Sequence, residues 1–225
     1  MPATPLPLAK AVWSVFYKEA MCELRTRYAL SALLMFALVA LSCISMAIGP
    51  VTLPPALTAA LLWIVMFFCA MAGLARVFVQ EQESGTLFTL RIYTPGQAVL
   101  LGKLLFNIMM LLALSAVIIP LFIIFFNVTI ELWGSFGCIL LLGDIGIAAA
   151  ATLTAAMVIH AQGKSALFSV LTFPVLLPQF LSVITATAGI LSGSDPDFSV
   201  MSFMFGYDVV IIAAASLLFD YIWYD

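Results

Sequence analysis

Few residues of this chain have types and spacing that could do chemistry. Most of them lie in one stretch, QEQESGTLFTLRIYTPGQAVLLGK at positions 80–103, where carboxylates, hydroxyls, glycines and bases stand between two strongly apolar segments. Elsewhere the candidates are Asp144 in a long apolar run, the single histidine His160, and the tripeptide Gly163-Lys164-Ser165. Docking of a protein, binding of a ligand and binding of a nucleotide are the functions that these residue types would support.

A nucleotide site is excluded by the spacing around Gly163-Lys164-Ser165. The tripeptide looks like the end of a phosphate-binding loop, but Val158 stands where that motif requires its first glycine, and no strand precedes it. These residues are therefore interpreted as a turn into the next helix, where Lys164 could reach lipid phosphates or form a second contact with an ATPase. Any ATP must be hydrolysed by a partner protein, and the chain itself is not predicted to be an enzyme.

The composition predicts a membrane protein. Of 225 residues, 65% are hydrophobic and only 8% are charged, whereas roughly 25% of an ordinary soluble domain is charged. Eight basic and eleven acidic side chains cannot cover the surface of a soluble fold of this size. The net charge of −3 and the absence of a basic run give no indication of nucleic-acid binding. Four cysteines fall singly, without the spacing of a metal site.

The elements that must position these residues are transmembrane helices. A helix needs about 20 mostly apolar residues to cross a bilayer, and six runs qualify: 28–48, 57–79, 98–126, 134–159, 165–191 and 204–224. Before them, residues 10–27 have an apolar face at helical spacing, which predicts a helix lying along the membrane surface. That face consists of Trp13, Phe16, Tyr17, Ala20 and Leu24. We therefore predict a single all-α integral membrane domain with an interfacial amphipathic helix at its N-terminus.

Charge predicts the orientation of this domain. All eight basic residues fall on one side of the predicted spans: Lys10, Lys18, Arg25, Arg27, Arg76, Arg91, Lys103 and Lys164. The positive-inside rule places that side, with both termini, in the cytoplasm. The opposite face is expected to be acidic or neutral, with Glu131, Asp195, Asp197 and Asp208 as its charged residues.

The polar loop at 80–97 then lies in the cytoplasm and is predicted to contain a short helix. Gly85 can end the second span, and Thr86 can cap a helix over Leu87–Tyr93 that ends before Pro95. Residues 94–97 fit a capping box that opens the third span. The short helix offers an apolar face, best explained by a protein partner that covers it; the alternative is a solvated turn. Its apolar residues are Leu87, Phe88, Leu90 and Ile92.

Two features inside the spans are unusual for a membrane helix. Asp144 lies roughly 10 residues, or about 15 Å, into the fourth span, where a carboxylate costs about 2.5–3.5 kcal/mol. We expect it to face the bundle interior or to be protonated, serving either as a functional charge or as a buried hydrogen bond between helices. Pro174 and Pro178 stand four residues apart in the fifth span, and each removes a backbone donor. They predict a break in the helix, either a fixed kink or a hinge.

The loop resembles a known superfamily. The pattern E-x-E-x-G-T-L-x-x-L, followed by Gly102-Lys103, is similar to the cytoplasmic loop of exporter-type ABC permeases. In that superfamily the short helix is the coupling helix, which docks into a groove of the cytosolic ATPase subunit. The resemblance implies that the ATPase-coupling residues are Glu81, Glu83, Gly85, Thr86, Leu87, Phe88, Leu90 and Arg91.

Three further segments resemble one family in particular. FYKEAMCELRTRYAL, TAAMVIHAQGKSALFSVLTFPVLLPQFLS and LFDYIWYD are similar to CcmB, the haem exporter protein B of cytochrome c maturation. The resemblance implies a six-helix ABC permease half in the bacterial inner membrane. Its partners would be a CcmA-like ATPase and CcmC-like and CcmD-like membrane subunits. Its function would be haem export or delivery for c-type cytochromes.

This resemblance raises the question of haem ligation by His160. An axial ligand needs an imidazole that faces a cavity large enough for the macrocycle, whereas His160 stands near polar Gln162 and Lys164 at the end of a span. We expect an interfacial side chain, and the resemblance assigns haem ligation to the CcmC-like subunit. No cofactor is predicted to bind here: haem is expected as a transported or neighbouring ligand, and ATP on the partner.

Two other functions remain open at this stage. The same machine could carry another cargo, such as a lipid, a drug or a polysaccharide precursor. An ATPase-independent secondary transporter or an intramembrane enzyme would show several intramembrane ionisable groups or inverted repeats, but the sequence indicates one deep carboxylate. Because ATPase domains act in pairs, this half-sized permease must pair with a copy of itself or with another membrane subunit.

Overall fold

The computed structural model of the chain describes residues 7–26, 28–74, 90, 94–158 and 164–224. Throughout these ranges the regular structure is helical. The seven helices are α1 (Leu8–Thr26), α2 (Tyr28–Ile48), α3 (Pro55–Leu74), α4 (Gly96–Phe126), α5 (Trp133–Val158), α6 (Lys164–Leu191) and α7 (Phe198–Tyr224). The last six are long and apolar enough to cross a membrane. The prediction of an all-helical chain with six candidate spans is therefore confirmed.

The bounds differ from the predicted ones mainly at the last helix. Helix α2 covers the predicted 28–48, whereas α7 begins at Phe198, six residues before the predicted start at 204. The earlier start places Asp208 well inside α7. The sequence predicts this residue on the outer face instead. The predicted capping box at the start of α4 is also wrong. Pro95 is the N-cap residue and no side chain caps the helix, while the Gln97 amide donates 2.7 Å to an Asp220 carboxylate oxygen in α7.

The two ends of the bundle differ in their connections. Tight turns join the helices at the end we call the short-loop end, formed by residues 49–54, 127–132 and 192–197. Gly49, Asn127 and Gly193 adopt positive φ there, at 64°, 49° and 80°. This left-handed conformation lets the chain leave a helix abruptly, and it is the usual conformation just after a helix C-terminus. The opposite end, which carries α1, is called the α1 end.

Helix α5 lies at the centre of the bundle, in contact with α3, α4, α6 and α7. Most of its middle consists of small residues, including four consecutive buried alanines at 148–151. Small side chains let neighbouring helices approach closely in a membrane, where packing rather than hydrophobicity drives association. Helix α2 is peripheral and leaves most of its surface uncovered.

Helix α1 packs lengthwise on the start of α4. Ala11, Val15 and Ala20 are buried against the bundle. A Cβ on Gly102 of α4 would lie only 2.7 Å from the Val15 Cβ and 2.9 Å from a backbone oxygen of α1, so glycine is what allows this approach. The predicted apolar face of α1 therefore does not all face the same surroundings, because Ala20 is buried against the bundle while other members of that face are exposed. The outward residues are Trp13, Tyr17, Met21 and Leu24, all at least 48% exposed.

Candidate functional site

Four polar side chains and one methionine, from five helices, lie at one depth in the bundle. Met66, Ser115, Asp144, Gln179 and Asp208 each lie 10–12 residues from the short-loop end of their own helix. At 1.5 Å per residue this is about 15–18 Å, near the middle of a bilayer. We call these residues the mid-bundle layer. It is the candidate functional site because polar and ionisable groups at this depth are costly and are usually retained for a function.

Asp144 faces α4 from the centre of the bundle. It is fully buried, and one of its carboxylate oxygens accepts a 2.6 Å hydrogen bond from the Ser115 hydroxyl. The other oxygen has no hydrogen-bond partner among the described residues. The Ser115 oxygen also lies 3.9 Å from the Met66 sulfur in α3. Asp144 therefore links the central helix to α4 and leaves one acceptor oxygen unused.

Asp208 and Gln179 approach α5 from another side, over Gly146. A Cβ on Gly146 would lie 2.7 Å from an Asp208 oxygen and 2.8 Å from the Gln179 amide nitrogen. That nitrogen donates 3.3 Å to the Leu142 carbonyl of α5. The Gln179 amide oxygen and both Asp208 oxygens have no partner among the described residues. The missing side chain of Gly146 thus makes room for two polar groups from α6 and α7.

Trp63 fixes the packing of α3 between α5 and α6. Its ring is fully buried, and its indole nitrogen donates 2.9 Å to the Thr187 hydroxyl. The ring lies directly over Gly143, where an added Cβ would be 2.2 Å from a ring carbon. A buried tryptophan needs a partner for its N–H, and here the partner and the glycine together set the position of the ring.

Two more buried hydrogen bonds join the helices between the mid-bundle layer and the α1 end. The Asn107 amide of α4 donates 2.7 Å to the Thr152 hydroxyl of α5. The Thr154 and Thr172 hydroxyls, from α5 and α6, lie 2.6 Å apart. Such bonds between membrane helices contribute on average about 0.6 kcal/mol each, so they orient the helices more than they stabilise them.

A buried ion pair attaches α1 to α4. The ammonium group of Lys103 is fully buried and lies 2.8 Å from a Glu19 carboxylate oxygen, whose side chain is 11% exposed. Lys18 lies 3.1 Å from the same oxygen and is 43% exposed. Burial alone would raise the pKa of Glu19, but Lys103 and Lys18 outweigh it and hold that pKa below its usual value of 4.5.

The lowered pKa of Glu19 predicts a loss of stability in acid. A carboxyl group whose pKa is depressed by folding contributes its full stability above its unfolded pKa and loses it as the pH falls through its folded pKa. We expect the melting temperature of the purified chain to fall as the pH drops below 4.5. The Glu19→Gln variant should lack this part of the fall. An equal fall in melting temperature for the two proteins over this pH range in detergent would contradict the prediction.

Pro174 and Pro178 lie inside α6, and the helix is continuous through both. Neither residue therefore ends the helix. The predicted break, a fixed kink or a hinge, does not divide the span into two helices. The Tyr207 hydroxyl of α7 donates a hydrogen bond to the Val175 carbonyl, which lies between the two prolines. The carbonyls that the two prolines deprive of an N–H partner are those of Val170 and Pro174, so the Tyr207 bond joins α7 to α6 beside these positions and does not replace a missing donor.

Most of the predicted coupling residues lie outside the described part of the chain. These are Glu81, Glu83, Gly85, Thr86, Leu87, Phe88 and Arg91, and His160 lies outside it as well. Leu90 is described: its side chain is half-buried against the hydrophobic core, and its carbonyl accepts a 3.0 Å hydrogen bond from the Thr94 nitrogen. The ATPase-docking surface remains a prediction.

Asp208 is the residue that sequence reasoning misplaced. It is buried in α7, so the expectation that it lies on the acidic outer face is wrong, and the described spans hold two deep carboxylates rather than one. The apolar run that begins at Phe198 was the available signal. Measured from there, Asp208 stands 10 residues into its helix, almost as deep as Asp144 in α5. No sequence signal indicated Ser115 or Gln179 as their neighbours.

The described residues form no cluster of metal-ligating side chains, and the cavity at the short-loop end has no haem-ligating side chain in its lining. No three of their His, Cys, Asp and Glu side chains come close enough to hold a metal ion. A cavity of about 510 Å³ opens at the short-loop end between α2 and α4, and its lining includes Ser45, Thr52 and Asn127. The lining contains no His, Met, Cys or Tyr, which are the side chains that ligate haem iron in proteins.

Comparison with known proteins identifies one family. Residues 10–219 match the family model described as CcmB protein. A comparison with curated proteins finds no match. The matched range includes most of α1, all of the mid-bundle layer and the loop at 80–97.

Proposed function

Since the chain belongs to the CcmB family, we propose that it couples ATP hydrolysis by a separate CcmA-like subunit to haem handling across the membrane. The family makes the chain a haem-exporter ABC permease subunit in c-type cytochrome biogenesis, a multi-pass membrane protein that acts in a complex with ATPase and membrane partners. Such permeases are generally not catalytic, and the ATPase activity belongs to a partner. The family match over residues 10–219 is the observation that carries the proposal.

The contacts at the α1 end support coupling through the loop at 80–97. That loop leads directly into α4, whose first turns hold α1 through Lys103 and Glu19 and hold α7 through Gln97 and Asp220. The half-buried Leu90 already packs on the bundle. A partner that pushes the loop would therefore move α4 together with two other helices.

The surface of the bundle supports the proposed orientation and partners. Three described basic residues lie in α1 and a fourth, Lys103, lies near the start of α4, whereas the described turns at the short-loop end hold none. We infer that the α1 end faces the cytoplasm, with both termini there and the outward face of α1 in the lipid interface. CcmC-like and CcmD-like subunits, or a second copy of this chain, would cover the open faces of the peripheral helices.

A single charge in the loop tests the docking proposal. We expect Leu87→Glu to abolish co-purification of the CcmA-like ATPase in mild detergent, because a carboxylate would be buried in the interface. Thr89→Glu is the matched control, since it adds the same side chain at a variable position of the same motif, and association should persist. Equal binding by both variants would refute docking through Leu87.

Deletion of the gene tests the assignment to c-type cytochromes. We expect haem-stained c-type cytochromes to disappear from the deletion strain and to return when the wild-type chain is restored. Normal cytochromes in the deletion strain would reject this cargo in favour of another one. If c-type cytochromes are lost from the deletion strain but no ATPase co-purifies with the chain, the role in cytochrome maturation stands. Only the coupling to an ATPase is then rejected.

A further inference from the structure

The two polar side chains that approach Gly146 carry three buried acceptor oxygens without a donor. They are the two carboxylate oxygens of Asp208 and the amide oxygen of Gln179, and none has a hydrogen-bond partner among the described residues. Asp208 is 3% exposed and Gln179 1% exposed. Both end groups occupy the space that a side chain at Gly146 would fill, which we call the Gly146 notch. The Gln179 amide nitrogen also lies in the notch, but it donates to the Leu142 carbonyl, so within the described part of the chain no donor is bonded to these three oxygens.

Among the described residues, no cation reaches Asp208 from the helices packed on α7, which are α4, α5 and α6. Helix α5 contributes only Asp144, directed at Ser115 of α4. The basic residues of α4 and α6 are Lys103 and Lys164, both near the start of their helices at the α1 end. At 1.5 Å per residue these positions lie roughly 20 Å along the helix axes from Asp208.

The other titratable side chains that the structure describes in α7 also form no hydrogen bond with Asp208. Tyr207 bonds the Val175 carbonyl of α6. Asp220 bonds the Gln97 amide near the α1 end. Tyr221 lies exposed beside Asp220, more than three helical turns from Asp208 along α7.

An ionised carboxylate in the notch would be both buried and unsolvated by the protein. Addition of one proton changes which hydrogen bonds Asp208 can form, because a carboxylic acid has one O–H donor in addition to its acceptors. The acid can donate to the amide oxygen of Gln179, which otherwise has no partner among the described residues. The neutral form thus supplies a donor to acceptors from two helices, whereas the ionised form leaves three buried acceptors without a donor.

We propose that Asp208, seated with Gln179 in the Gly146 notch, is a proton-binding site in the middle of the bundle. One proton from water converts the carboxylate to the acid and joins α7 to α6 over α5. Release of that proton restores the carboxylate, which then draws α7 away from α5 toward water. The exporter thereby has a proton-dependent element inside its membrane domain, separate from the ATPase.

Infrared spectroscopy of the full chain in lipid nanodiscs tests the site directly. We expect a protonated-carboxyl stretching band at neutral pH that weakens as the pH rises and is lost from Asp208→Asn. Gln179→Leu should shift this band to higher frequency, because the acid loses its hydrogen-bond acceptor. A spectrum unchanged by both substitutions would overturn the proposal. Since no ATPase or cargo is present, failure here is distinct from failure of the proposed function.

A second experiment separates proton exchange from a purely structural role. The side-chain amide introduced by Asp208→Asn can donate to Gln179 in place of the acid, so a structural role would be rescued. We expect the variant to accumulate and melt like the wild type while c-type cytochromes fall to the level of the deletion strain. Normal levels of c-type cytochromes in a strain carrying Asp208→Asn would overturn the proposal that Asp208 is a proton-binding site.

A matched control and a second variant complete this experiment. Asp197→Asn changes an exposed position before α7 where asparagine is an equally good cap, and it should keep normal cytochromes. If Asp208→Asn does not accumulate, the test is the protonated-carboxyl band of Gln179→Leu. A shift of that band from its wild-type frequency supports the site, and an unshifted band overturns it.

Discussion

Replacing Glu19 by glutamine is expected to lower the free energy of unfolding by about 3 kcal/mol, the lower end of the range for breaking a buried ion pair. The ammonium group of Lys103 is fully buried 2.8 Å from the Glu19 carboxylate. Loss of that carboxylate leaves a buried positive charge without the negative charge beside it. Equilibrium unfolding of the purified chain in mixed detergent micelles, followed by tryptophan fluorescence, measures the effect.

Two matched variants distinguish the buried pair from a general effect of charge. Lys18→Met removes the 43% exposed partner of the same carboxylate and should cost about 0–1 kcal/mol, as exposed pairs do. The double variant Glu19→Gln/Lys103→Met should recover much of the lost stability, because replacing both members of a buried pair is often neutral. Additive losses in the double variant would show that the two residues are not coupled.

The second large effect is expected at Gly143. An added Cβ would lie 2.2 and 2.7 Å from two ring carbons of Trp63, and the ring is held by its hydrogen bond to Thr187. Gly143→Ala must therefore displace α3 from α5 or break that bond. Overpacking of a rigid core costs about 1–3 kcal/mol, and we expect the upper part of this range by the same unfolding measurement.

Gly137 provides the control in the same helix. A Cβ there would meet no atom within 4 Å. Alanine in place of an unconstrained helical glycine stabilises by about 0.4–1 kcal/mol, so Gly137→Ala should move stability in the opposite direction. A similar loss of stability at Gly143 and Gly137 would mean that contact with Trp63 does not control the result.

The two effects belong to different parts of the proposed mechanism. Glu19 and Lys103 hold the helices that would receive force from the loop at 80–97 in the proposed mechanism, so weakening this pair should also weaken coupling to the ATPase. Gly143 and Trp63 hold the helices around the mid-bundle layer. A variant at Gly143 that still inserts should therefore bind the ATPase and yet fail in cytochrome maturation.

The sequence by itself determined the number of candidate membrane-spanning helices and where in the chain they lie. In a bilayer every backbone N–H and C=O must be satisfied within the chain, so a long apolar run has little choice other than a helix. The depth of Asp144 followed from counting residues along such a run. The same counting misplaced Asp208 because the predicted start of the last helix lay six residues too late.

Only the tertiary structure decided which side chains meet. Glu19 and Lys103 are 84 residues apart in the chain, and Trp63 and Thr187 are 124 apart. The spans are apolar on nearly every face, so their sequences do not indicate how each helix is rotated about its axis. That rotation is selected by close packing at glycines such as Gly143 and by a few buried hydrogen bonds. It brings two polar side chains from α6 and α7 into one notch, although no local pattern in either helix predicted their contact.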